Sequence, residues 1–117
     1  MSTISEMIND LNSLMLQGKA MEAFEKYYAE DVVMQENENP PTVGKDANRD
    51  RELAFFGGIT EFRGAVVLQV AVGENVSMVE SGMDYTHKDY GTRKYKQVAV
   101  QQWKDGKIVN EKFYYAG

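Results

Sequence analysis

Apolar residues recur at Ile4, Ile8, Leu11, Leu14 and Met15 in steps of three and four, the period of a helix with one buried face. Thr3 and Glu6 stand at capping-box spacing at its start, and Gly18 is placed to close it. Met21, Phe24, Tyr27 and Tyr28 make the stripe of a second helix, expected over about 19–29 after a tight corner. Past Asp31, Val32 to Glu36 reads as a short strand, and residues 37–42, which hold both prolines, read as a loop. Gly44 leads into a third helix expected from Asp46 to Phe56 and closed by Gly57-Gly58. Its charges, Asp46, Arg49, Asp50 and Arg51, read as a solvated face with weak intrahelical pairs.

From Ile59 the period changes to two. Val66, Leu68, Val70 and Val72 alternate onto one side of a strand running from Ile59 to Val72, and Gly73-Glu74-Asn75 turns the chain. Further strands are expected over Val76–His87, Thr92–Lys104 and Lys107–Tyr115, the last two joined by Asp105-Gly106, a pair suited to a type I′ hairpin turn. These strands are longer than the usual five or six residues or so, which points to a strongly curved sheet wrapping something. The order is α-α-β-α-β-β-β-β, a single α+β domain over residues 1–117, without repeats, linkers or low-complexity segments.

Composition removes several kinds of chemistry. The chain has no cysteine and one histidine, so disulfides, thiol nucleophiles and multi-histidine metal sites are excluded. With 13 basic and 18 acidic residues the net charge is −5, a poor match to a nucleic-acid backbone. No apolar run is long enough to span a membrane and no leader-like segment is evident, so a cytoplasmic setting is expected. Acidic residues and asparagines at 36–39 lack the spacing of a calcium loop; no metal and no organic cofactor is expected.

Four local sequences in order, Tyr27–Glu36 (YYAEDVVMQE), Val43–Ala47 (VGKDA), the FFGG ending at Gly58 and Trp103–Tyr115 (WKDGKIVNEKFYY), give the chain its likeness. It resembles the nuclear-transport-factor-2-like superfamily with its SnoaL-like polyketide cyclases and ketosteroid isomerases, over essentially its whole length. The resemblance implies a cone, also called a cystatin-like fold: a strongly curved, mainly antiparallel sheet closed by three N-terminal helices, commonly a homodimer through the convex sheet face. It also puts Glu36 at the position of the isomerases' catalytic carboxylate, with glutamate in place of aspartate. The isomerases' two oxyanion donors fall at Leu11 and Ala99, which donate nothing, so steroid isomerisation is not expected.

Strand alternation sorts the remaining candidates. One in-phase set, Tyr95, Gln97, Ala99, Gln101 and Trp103 with Val109, Glu111, Phe113 and Tyr115, carries the bulky aromatics and is expected to face the helices. The other set, with Val98, Val100 and Ile108, suits a convex face that pairs with a second copy. Gln97, Gln101 and Glu111 are polar groups that an ordinary core does not choose; a cavity with water or ligand explains them, and so does a strand end that reaches solvent, with the cavity favoured. Tyr28, Gln97, Gln101, Trp103, Glu111, Phe113 and Tyr115 are therefore the candidate ligand-binding residues, and Glu36 the candidate base. His87, the only imidazole, stands at a strand end before a turn and reads more simply as a solvated strand end than as a proton shuttle. The expected partner is a small apolar or aromatic molecule, bound with or without acid–base chemistry of the isomerase, cyclase or hydratase kind. The alternative is a non-catalytic dimerisation or interaction module.

Overall fold

The computed structural model describes residues 3–116. Its elements are α1 (Ile4–Leu16), α2 (Ala20–Tyr27), β1 (Tyr28–Glu36), β2 (Thr42–Val43), α3 (Lys45–Gly57), β3 (Ile59–Val72), β4 (Val76–His87), β5 (Gly91–Lys104) and β6 (Lys107–Tyr114). The capping box forms as spaced: Thr3 Oγ1 accepts the Glu6 amide at 3.1 Å, and the Glu6 carboxylate accepts the Thr3 amide at 2.9 Å. At the β5–β6 turn, Asp105 and Gly106 have φ of 53° and 77°, the left-handed pair that a type I′ turn requires.

The strands form one sheet in the order β2-β1-β6-β5-β4-β3. Every pairing is antiparallel except β1 with β6, which is parallel. The helices lie against one face, giving the α+β cystatin-like architecture. The second helix stops at Tyr27, short of the expected limit, because Tyr28 already pairs with Ile108 of β6. Within the proline loop, Thr42 and Val43 pair with Met34 and Val33 as a two-residue strand.

Two bulges overturn parts of the parity reading. On β3 the register shifts between Val67 and Gln69, so Val66 lies opposite Gly82 while Val70 lies opposite Val79. Gly82 and Val79 are out of phase, and the four residues from Val66 to Val72 do not share a side. On β6, Trp103 pairs with Ile108 and Gln102 with Asn110, which leaves Val109 as the extra residue. Ile108 is thereby turned away from the convex face and into the core, where it is fully buried beside Trp103. Bulges add local twist, and these long strands curl around the helices as a result.

The core joins Ile8 and Leu11 of α1 to Phe24 and Tyr27 of α2 and to Val32, Val79, Trp103 and Ile108 of the sheet. Asn48 pins α3 to the sheet edge: fully buried, its Nδ2 donates to the carbonyls of Val32, Thr42 and Gly44 at 3.3, 3.0 and 2.8 Å. None of the described helices is long and apolar enough to cross a membrane.

Candidate functional site

Beyond Leu11 the packed core gives way to a cavity of about 530 Å³ between the helices and the sheet. α1 contributes Leu11, Asn12 and Met15, α2 contributes Phe24, and α3 contributes Glu52 and Phe56. The floor is the concave side of the sheet, with Val67, Val79, Gln97, Ala99, Gln101, Glu111 and Phe113. Tyr28 lines it at the junction of α2 and β1. A space of this size, mostly apolar with a few convergent polar groups, has the character of a small-molecule site.

The polar groups are connected in one direction. The Trp103 indole N–H donates to Ser77 Oγ at 2.9 Å, and the Ser77 hydroxyl donates to Gln101 Oε1 at 2.6 Å. Gln101 Nε2 donates to Glu111 Oε2 at 2.7 Å, and the Tyr28 hydroxyl donates to Glu111 Oε1 at 2.5 Å. Glu111 is 2 % exposed, and both its oxygens act as acceptors. Burial pushes its pKa up, and the hydrogen bonds from Tyr28 and Gln101 oppose that rise. Burial and the neighbouring carboxylate together push the Tyr28 phenol well above its usual range.

Glu52 on α3 lines the same cavity from the helix side. Its pKa is pushed up to about 7, first by burial and next by the charge of Glu111, against a weaker pull from Arg51. A carboxyl poised near neutrality both takes and returns a proton under physiological conditions, as a general acid–base catalyst must. Among the described residues, no three acidic or histidine side chains cluster to hold a metal ion.

A family model described as the SnoaL-like domain matches residues 1–115. The chain belongs to the SnoaL-like family. A protein from Mesorhizobium loti, provisionally described as a SnoaL-like polyketide cyclase, has 31 % identity and a TM-score of 0.88, covering 97 % of this chain and 100 % of that one. A second such protein, from Jannaschia sp., has a TM-score of 0.80 at 12 % identity over 98 % of this chain and 89 % of that one. A Xanthomonas campestris protein of unknown function with a cystatin-like fold has a TM-score of 0.84 at 15 % identity, over 100 % and 92 % of the two chains. The last two likenesses concern the fold alone. No protein of curated function matches.

Five of the eight candidate residues, Tyr28, Gln97, Gln101, Glu111 and Phe113, line the cavity of this SnoaL-like chain. Trp103 stands one layer behind, buried and reaching the cavity only through Ser77 and Gln101. Glu36 and Tyr115 lie apart from the cavity wall. The Glu36 carboxylate, the candidate base, is half-exposed, pairs with Arg51 and accepts the Tyr115 hydroxyl at 2.7 Å, outside the cavity lining. Burial, then this hydrogen bond, pushes the Tyr115 phenol up to about 12. Leu11 and Ala99, the positions that resemblance assigned to oxyanion donors, do line the cavity, with side chains that offer no donor.

Reasoning from the sequence passed over Glu52. The signal was present as the spacing Asn48, Glu52, Phe55, Phe56 along α3, an inward stripe in which two polar residues replace apolar ones. His87, by contrast, is not the solvated strand end expected but a buried residue with a structural place. It is 3 % exposed and stacks between Phe55 and Tyr90, with ring centroids 5.6 and 4.4 Å away. Its Nδ1 accepts the Asp89 amide at 3.0 Å, which leaves the proton on Nε2 to donate to the Phe55 carbonyl at 3.1 Å. The ring thus ties the end of β4 to the last turn of α3.

Proposed function

We propose that this SnoaL-like protein binds an apolar or aromatic small molecule in the concave cavity and moves a proton on it, in chemistry of the isomerase, cyclase or hydratase kind. Glu52 is the proton acceptor in this reading. Burial raises the pKa of Glu52, and Glu111, held by Tyr28 and Gln101, is the fixed carboxylate that adds to that rise. The observation that carries the reading is Glu52 on the wall of an apolar cavity that a second, buried carboxyl, Glu111, also lines; burial and that charge push the Glu52 pKa up to about 7. A deuterium-exchange assay tests it. With 2-acetylnaphthalene in D₂O, the protein catalyses exchange of the methyl protons, and the rate rises with pH through an inflection near 7. Glu52→Gln lowers that rate by about 10²–10⁴-fold, the usual worth of a positioned general base. Glu36→Gln leaves it unchanged, and an equal loss in both variants overturns the assignment.

The proposal extends to a homodimer formed through the convex sheet face, in a cytoplasmic setting. Met78, Val98 and Tyr114 are exposed there at 43, 36 and 46 %. Side chains of this kind on one open sheet face favour pairing with a second copy. The same face supports the alternative of a plain interaction module. Sedimentation at micromolar concentration gives a dimer that Val98→Lys converts to monomer; a monomeric wild-type protein refutes the pairing.

A further inference from the structure

We propose that Gln97 and Ser81 form a neutral anchoring subsite on the cavity floor, which holds a hydroxyl group at the end of the ligand far from the carboxyls. This deepens the preceding section and rests on its reading of the cavity as the ligand site. β4 and β5 pair without a register shift, with Ser77 opposite Gln101, Val79 opposite Ala99 and Ser81 opposite Gln97. These positions step by two along each strand, so all six share the concave face, and all but Ser77 line the cavity. The floor thus carries the same serine–glutamine pair twice, about 13 Å apart along the strands, with Val79 and Ala99 between.

The two pairs are used differently. In the inner pair the Ser77 hydroxyl donates to Gln101 at 2.6 Å, and Gln101 donates to Glu111 at 2.7 Å. Ser77 also accepts the Trp103 indole N–H, so this pair is taken up within the protein. The hydrogen bonds of Tyr28 to Glu111 and between Tyr85 and Tyr95 bypass the outer pair as well. Among the described residues the side chains of Gln97 and Ser81 make no hydrogen bond, although both are half-buried and line the cavity. Val67, opposite Ser81 on β3, continues the row as an apolar wall.

This pattern selects the ligand group. An apolar end seated over the outer pair displaces water from an amide and a hydroxyl and leaves both unmet, whereas a hydrogen-bonding group replaces that water. Amide and hydroxyl are neutral, and each both donates and accepts. A ligand hydroxyl does the same and bonds to the two at once. An anionic group is disfavoured, because Glu52 and Glu111 line the same cavity. With its hydroxyl held at this end, a flat apolar body lying over Val79 and Ala99 reaches back toward Glu111, which stands opposite Gln101. Gln97 and Ser81 take no proton in this arrangement; they decide which end of the ligand meets the acids.

Paired probes test the assignment. 6-Acetyl-2-naphthol and 2-acetyl-6-methylnaphthalene have nearly the same shape and differ in OH against CH₃ at the end opposite the acetyl group. Their dissociation constants are measured by calorimetry for the wild type, Gln97→Leu and Ser81→Ala, with melting curves to show that each variant folds. The wild type binds the naphthol about tenfold more tightly than the methyl compound. Each variant weakens naphthol binding about three- to tenfold and does not weaken binding of the methyl compound by more than about twofold. Equal affinity of the wild type for the two probes, or an unchanged preference in both variants, overturns the subsite and leaves the cavity as a ligand site. Failure of both probes to bind the wild type overturns the cavity reading and this inference together.

Discussion

Glu111 and Glu36 lie on neighbouring strands and each accepts a tyrosine hydroxyl, Tyr28 in one case and Tyr115 in the other. Their second partners differ. Glu36 meets the guanidinium of Arg51 at a half-exposed strand end, whereas Glu111 meets the neutral amide of Gln101 in a sealed interior. A cation at the surface settles a carboxylate cheaply. A buried carboxylate without a cation has its pKa raised by burial, and its charge adds to the rise that burial already gives Glu52. The comparison teaches that position along a strand is a poorer guide to a reactive acid than the absence of a compensating charge.

The comparison breaks most sharply at Glu111. Glu111→Ala leaves the Tyr28 hydroxyl and the Gln101 amide without partners in the interior and is expected to cost about 3 kcal/mol or more in chemical denaturation. A loss below about 1 kcal/mol would show the network to be far looser than its geometry.

Glu52 gives the next largest effect, and its sign is unusual for a carboxylate. Folded, Glu52 keeps its proton up to about pH 7; unfolded, it releases it near 4.5. The folded state therefore binds the extra proton between those values, and stability falls as pH rises through that window. Glu52→Gln does not titrate. It is expected to match the wild type below about pH 4 and to exceed it by about 3 kcal/mol above about pH 8. Parallel stability profiles for the two proteins count against the raised pKa.

The smallest effect belongs to Glu36. Glu36→Ala removes a half-exposed ion pair and one hydrogen bond, for an expected loss of about 1 kcal/mol or less that shrinks further in about 1 M salt. A loss as large as that of Glu111→Ala erases the distinction between the two acids.

Most of the fold was legible because both periods were clean. The stripe from Ile4 to Met15, the alternation along the long strands and the Asp105-Gly106 turn each name their element without help from tertiary contacts. Parity counting also found the concave face, which is why Gln97, Gln101, Glu111 and Phe113 were identified together. It failed at Val109 and near Leu68, because a bulge is invisible to a count that assumes an unbroken ladder. Glu52 was hidden for a different reason. It sits among Asp50, Arg51 and other charges, and only the packing of α3 against the sheet separates the one inward carboxyl from its solvated neighbours. Glu36 was favoured by its place in a family pattern, yet whether a carboxyl is desolvated depends on partners such as Arg51, fifteen residues away in sequence.

The run of hydrogen bonds from Trp103 to Glu111 has a consequence for observation. An ionised carboxylate can only accept, so Gln101 must donate to Glu111, which turns its oxygen to Ser77 and makes the Ser77 hydroxyl donate in turn. Should Glu111 take up a proton, its new hydroxyl needs an acceptor. Gln101 supplies one by turning its amide over, and the Ser77 hydroxyl then has to rotate as well. The chain has a single tryptophan, and it is the last member of this relay. Its fluorescence is thus a built-in gauge of charge at the cavity floor, readable without any added label.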